Sequence, residues 1–294
     1  MMTNERKGNL LLLHVIVFIW GFTGILGREI TLSSIPLVWW RVFIAAASIG
    51  VFALIFRKNI RVNRSDLMKF GGVGLLTAAH WICFFSSIKV SNVSVALAVI
   101  STTSFFVALV APFIRREKFQ SYELILGILV IAGLFIIFKF EMKYASGILL
   151  SLLASLFAAI FSSFNSNFIQ KHSSAKIAFW EMAFALVGVS IYMLFDLSLF
   201  ESVTAINFHD LRLVLILGVV CTGFAFIAGI EVMKVLSPFT CAIAINLEPI
   251  YTIALALWLY GDSEYMSPAF YIGTVIILST LFLEAWLKKR QIRN

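Results

Sequence analysis

Apolar residues run along this chain in long blocks, separated by short clusters of charged, Pro, Asn and Ser residues. Ten such blocks stand near positions 9–27, 36–56, 68–88, 93–114, 122–139, 145–169, 176–195, 211–233, 239–260 and 267–287. A helix needs roughly 20 mostly apolar residues to cross the hydrocarbon core of a bilayer, and each block is about that long. None alternates apolar with polar positions as a membrane strand does. Lipid satisfies no backbone groups, so each block is predicted to be a helix. The connections are short and hold no sizeable soluble domain. The pattern predicts an all-α polytopic membrane protein with ten transmembrane helices. Arg6 and Lys7 precede the first block, but no small-x-small cleavage site occurs before Gly27, so that span is expected to be kept.

Composition sharpens this picture. The 294 residues are 61% hydrophobic and 13% charged, with a mean hydropathy of +0.99. Soluble domains carry about 25% charged residues, so a soluble enzyme, a disordered chain and a nucleic-acid binder are excluded. The net charge of +8 has a different origin. With a cytoplasmic N-terminus, 17 of the 23 Lys and Arg fall in inside loops and tails, among them Arg57, Lys58, Arg115, Arg116, Lys171 and Lys288 through Arg293. Five fall outside, namely Arg28, Lys89, Lys139, Lys143 and Arg212, and Arg41 lies within a span. The outside loops carry acids instead, including Glu29, Glu141, Asp210, Asp262 and Glu264. This bias predicts a multi-pass protein of the cell (cytoplasmic or inner) membrane with both termini in the cytoplasm. Cys83, Cys221 and Cys241 all lie in apolar blocks, so no disulfide framework is implied.

The two halves of the chain match when one slides over the other. Lys89 to Glu117 lies over Lys234 to Asp262 at a constant offset of 145, and Trp40-Arg41 lies over Trp180-Glu181. The match predicts a first repeat over 1–140 and a second over 141–294, five spans each. An odd number of spans inserts the second copy upside down. Inverted repeats around a midplane site are a recurring architecture of secondary transporters, although a duplication can also build no more than a symmetric scaffold.

Ionisable groups inside spans are costly in lipid and ask for a reason. Glu248 stands mid-span beside Pro249, which removes a backbone donor and kinks the helix, so charge and open backbone share one depth. A cavity-lining carboxylate and a paired structural one both fit. Tyr251 lies beside the same face. His80 and Trp81 stand mid-way along the third span, where His80 reads either as cavity lining or as a neutral His bonded to a helix carbonyl. Arg41 and Glu181 head matching stripes of small residues. They read as a pair flanking the cavity by gating or charge pairing, with Arg41 able to hold a substrate carboxylate, or as side chains snorkelling to the nearer interface. Thr102 and Thr103, within Ser101 to Ser104, overlie Asn246 to Pro249 in the repeat register. They are expected to line a cavity or to bond back to their own helix. Asn165, Trp20 and Trp81 lie deep enough to join such a cavity.

The chain resembles the EamA family of the drug/metabolite transporter superfamily over nearly its whole length. The resemblance is carried by Trp20-Gly21, Arg41, Arg115-Arg116-Glu117-Lys118 leading to Gly127 and Gly133, and Leu247-Glu248-Pro249 leading to Asp262 and Gly273. It implies two inverted five-helix repeats around a central cavity built by spans one to four and six to nine, with spans five and ten outside. It also implies transport of small metabolites such as amino acids. Two departures stand out. Ser104 replaces a proline usual in the first repeat, so the fourth span is expected to bend less. Asp262, with an extra residue before Gly273, replaces the usual Glu.

The expected function is therefore secondary transport of a small metabolite, an amino acid or related solute, by alternating access and in the export direction. A proton, exchanged through Glu248, or a second solute would be the counter-substrate. A channel or uniporter is the nearest alternative, and it would show a ring of like charges that this chain lacks. An intramembrane enzyme is the other. The chain has no HExxH, no P-loop and no paired intramembrane aspartates, so no catalytic residue, cofactor or metal is expected. The partners expected are the solute and the bilayer, no nucleic acid, with a homo-oligomer left open.

Overall fold

A computed structural model of the chain describes residues 4–291. Arg293, one of the inside charges counted above, lies outside them, and the side chains of Lys288, Lys289 and Arg290 are not among those described. The elements are α1 Asn4–Glu29, α2 Ser34–Ile55, α3 Arg64–Val90, α4 Val93–Ile100, α5 Thr103–Arg115, α6 Ser121–Phe140 and α7 Ala145–Phe168. They continue with α8 Ser174–Met193, α9 Ser198–Thr204, α10 Phe208–Gly218, α11 Ala225–Val232, α12 Pro238–Ile245, α13 Glu248–Tyr260 and α14 Pro268–Gln291. Among the described residues there is no strand.

Among the described residues eight helical segments are long and apolar enough to cross a membrane, counting α4 with α5, α10 with α11, and α12 with α13 as single segments. This is a multi-pass α-helical membrane protein. In α6 and α14 the apolar stretches, Ile125–Phe140 and Pro268–Thr280, are shorter. The helices begin where the sequence supplies caps. Asn63, Asn92, Asn207 and Ser237 each accept a hydrogen bond from the backbone N–H three residues on, and Pro238 and Pro249 occupy first turns, where a missing N–H costs nothing.

The interruptions matter more than the helices. The segment of α4 and α5, the fourth span, breaks at Ser101-Thr102 and the segment of α12 and α13 at Asn246-Leu247, a separation equal to the 145-residue offset of the sequence repeat. The fourth span therefore does not stay straighter for want of a proline. At both breaks the backbone tightens to bonds three residues back, Thr102 N–H to Val99 O at 3.0 Å and Asn246 N–H to Ile243 O at 3.0 Å. In the fourth span hydroxyls take over from proline. Ser101, Thr103 and Ser104 bond back to Leu97 O, Ile100 O and Ser101 O, and such bonds bend helices. A third irregularity, a π-helical segment over Val219–Phe224, joins α10 to α11.

Helix α3 packs against α7 and α8, with α2 against α8 and α10, and with α1 against α11 and α13. Helices α6 and α14 form a pair at the side, reached through α5 and α12. Gly133 and Gly273 let this pair cross closely, because a Cβ on either would lie 2.6 Å from the other's carbonyl oxygen. The turns at 56–63, 116–120, 169–173 and 233–237 share the end of the bundle where α1 begins and α14 ends, the terminal end. Those at 30–33, 91–92, 194–207 and 261–267 form the opposite end.

Candidate functional site

The break between α4 and α5 meets the break between α12 and α13, where Asn246 Nδ2 donates to Ser104 Oγ at 3.2 Å. Beside them lies a cavity of about 120 Å³, large enough for a small organic molecule rather than one water. Trp20, Thr23, Arg41, His80, Trp81, Thr103 and Glu248 line it with the apolar side chains of Phe84, Phe161, Phe226 and Ile245. It runs from this level to Met233 and Pro238, which flank the 233–237 turn of the terminal end.

Arg41 is the most elaborately held of these residues. It is 2% exposed and lies inside the bundle, not extended to an interface. Gly218 lets α10 approach α2, since a Cβ there would meet Ile44 at 2.6 Å and Arg41 O at 3.3 Å. The π-helical turn that follows places Thr222 so that its hydroxyl donates to Leu217 O, five residues back, at 2.7 Å and accepts from Arg41 Nε at 2.8 Å. Extra turns of this kind often re-aim side chains at functional sites. The guanidinium carbon stands 4.1 Å over the Trp81 ring and 5.4 Å from that of Phe85. Arg41 Nη1 is buried without a hydrogen-bond partner among the described residues. Trp20 joins the same turn by donating Nε1–H to Cys221 O at 3.0 Å.

Glu248 opens α13, where the partial positive charge of a helix N-terminus favours a carboxylate. Its backbone is fixed by Thr252, whose hydroxyl lies 2.9 Å from Glu248 O and 2.6 Å from Gly21 O, one donor shared by two carbonyls. No ion pair joins Glu248 to Arg41 among the described residues, although both line the one cavity. His80 faces the cavity and its Nδ1 lies 2.8 Å from Ala154 O. Donating there leaves Nε2 an acceptor in the neutral ring.

Four residues expected at the site lie elsewhere. Tyr251 is 42% exposed on the outer face of α13 and packs edge-on against Phe18. Thr102 is buried at the break without lining the cavity. Asn165 and Glu181 pair with each other, Nδ2 to Oε2 at 3.1 Å, in a fully enclosed setting between α7 and α8. Helix α3 closes that setting through Gly74, where a Cβ would lie 2.4 Å from Glu181 O. Sequence reasoning missed Thr222, one hydroxyl in an apolar run, and the aromatic walls, which nothing separates from the other phenylalanines among 29. No cluster of three or more His, Cys, Asp or Glu able to hold a metal ion occurs among the described residues.

The sequence profile of the EamA-like transporter family matches twice, over residues 7–139 and 145–286. The chain belongs to the EamA-like transporter family. It is thus a membrane transporter of the drug/metabolite type, built on a family unit that occurs twice. No curated protein matches the sequence. Among solved structures 28 chains match. One, described only as a crystal structure of a protein, is 16% identical with a TM-score of 0.71, covering 96% of this chain and 98% of its own. At that identity the likeness concerns the fold alone.

Proposed function

We propose that this EamA-like transporter is a secondary carrier that exports a small organic solute, an amino acid or a related metabolite, by alternating access. In this reading α6 and α14 complete ten spans, arranged as two inverted five-helix repeats over 1–140 and 141–294. The terminal end, rich in Lys and Arg, faces the cytoplasm of the cell membrane. The cavity then opens inward, as an exporter loading its solute requires.

The observation that carries this reading is a cavity with two unpaired opposite charges. Arg41 offers Nη1 and Glu248 a carboxylate, and aromatic side chains line the same cavity. An unpaired buried charge is costly, so a ligand supplying a carboxylate to one and an ammonium to the other relieves both. A zwitterion with an apolar body has that chemistry. Trp20, His80, Trp81 and Thr103 are its remaining neighbours. Glu248 is also the group placed to exchange a proton for the solute.

Untargeted profiling of the medium tests this, comparing cells that produce wild type, Glu248→Gln or no protein at matched membrane abundance. A zwitterionic metabolite is expected to accumulate outside only with wild type. Equal accumulation with Glu248→Gln would remove Glu248 from the mechanism, and no accumulation in any strain would count against export.

A further inference from the structure

The two ends of the bundle are closed by different chemistry. On the side of the cavity away from the termini, α1 is zipped to its neighbours. Thr252 donates to Gly21 O at 2.6 Å, a Cβ on Gly24 would lie 2.9 Å from Leu97, and one on Gly27 would lie 2.4 Å from Phe85. Nothing the size of a solute passes between helices so close. At the top of this zip stands Glu264, the last residue of a 3₁₀ turn after α13, with its side chain fully buried.

We infer that Glu264 and Arg28 form the clasp of an outer gate, which holds the opposite end shut while the cavity faces the terminal end and which parts when access alternates. The inference rests on the alternating-access reading above. The Glu264 carboxylate draws three elements to one point. Oε1 pairs with Arg28 Nη1 at the end of α1, and the two oxygens accept the first backbone N–H groups of α4, from Val93 at 3.2 Å and from Ser94 at 2.8 Å. Arg28 adds a bond from Nη2 to Ser263 Oγ at 2.8 Å, and its guanidinium lies 3.8 Å over the Tyr260 ring. Asn92, which caps α4, reaches Ser263 O at 3.5 Å.

Each part of this clasp suits an attachment made to be broken. A carboxylate at a helix N-terminus answers both the orphan N–H groups and the helix dipole. Burying an ion pair stabilises little compared with an apolar pair of the same shape, so its use here is as a switch between a dry, closed end and a wetted, open one. Arg28 keeps 29% of its side chain accessible, which lets water reach the pair first. Among the described residues the ion pairs of the terminal end, Arg115 with Glu117, His172 with Asp66 and Lys234 with Glu231, keep their carboxylates 56%, 19% and 39% accessible, unlike the buried Glu264. Helix α12 is capped locally, by Ser237 from its own turn.

Thiol accessibility tests the clasp without knowledge of the solute. Thr103→Cys, which sits in the cavity wall, serves as reporter in a chain carrying Cys83→Ser, Cys221→Ser and Cys241→Ser. A membrane-impermeant maleimide is added to sealed vesicles from one side at a time. With the clasp intact, labelling from the terminal side is expected to dominate. Glu264→Gln, and separately Arg28→Gln, should raise labelling from the opposite side about tenfold and lower it from the terminal side, because the ion pair that each variant removes stabilises only the state closed at the opposite end. Unchanged rates from both sides in both variants would overturn the inference. So would faster labelling from both sides, since the residues would then be holding the fold and not a gate. If labelling trades sides while no solute is exported, the transport reading fails and the gate stands. If export occurs and labelling does not move, the clasp alone fails.

Discussion

Arg41 and Glu181 hold matching places in the two halves of the chain, and the bundle treats them in opposite ways. Both stand where a glycine brings a neighbouring helix onto their own backbone, Gly218 against Arg41 O and Gly74 against Glu181 O. Their side chains then diverge. Each keeps one buried polar atom without a hydrogen-bond partner, Nη1 and Oε1, but Arg41 leans over Trp81 toward the cavity, whereas Glu181 is sealed beside Asn165 away from it. The difference lies in the neighbouring helix. Next to Arg41 the π-helical turn supplies Thr222 and leaves room, and next to Glu181 the helix α3 is regular and fills the space. Matched backbone crossings therefore do not make matched sites; the cavity is asymmetric because one crossing is followed by an extra residue per turn.

Three substitutions break or sharpen this contrast. Arg41→Gln should have the largest effect. A charge-assisted hydrogen bond contributes about 1.5–3 kcal/mol, so the half-saturating concentration of a carboxylate-bearing solute should rise roughly 10- to 100-fold in vesicle flux assays. Gln at this position also loses the Nε bond to Thr222 and the stacking over Trp81, so melting temperature should fall modestly and flux is compared at equal protein density. Thr222→Val comes next. It removes the acceptor of Arg41 Nε, so half-saturation should rise about fivefold while the maximal rate is kept, and Thr222→Ser should restore it. Glu181→Gln should matter least. A Gln amide can accept from Asn165 Nδ2 and also donate to Asn165 Oδ1, which has no partner now, so melting temperature should hold or rise by scanning fluorimetry. Flux should stay within about threefold of wild type, since Glu181 does not line the cavity.

Much of this bundle is legible in the sequence alone, for a physical reason. Lipid forces apolar runs of nearly fixed length, so the spans announce themselves, and it penalises ionisable groups, so Arg41, His80 and Glu248 stand out in the sequence. The break beside Pro249 is visible for the same reason as any proline kink. The break at Ser101-Thr102 is not, because hydroxyls that bend a helix look the same as hydroxyls that merely bond back to it. Tyr251 and Asn165 show the limit of polarity as a guide. A helix presents polar groups on several faces, and only packing decides that one meets Phe18 outside and the other Glu181 inside. Phe161 and Phe226 are invisible as cavity walls, since an apolar side chain lining a cavity and one facing lipid have the same sequence signature. The π-helical turn leaves no trace either, as one added residue shifts an apolar run without interrupting it.

The most direct test is efflux of a zwitterionic solute from preloaded vesicles, measured side by side for wild type, Arg41→Gln and Glu181→Gln at equal protein density. The asymmetric cavity predicts that Arg41→Gln loses at least about tenfold in efflux at sub-saturating solute while Glu181→Gln stays within about threefold. Equal losses at the two positions, or a greater loss at Glu181, would contradict it and place the solute between the halves symmetrically.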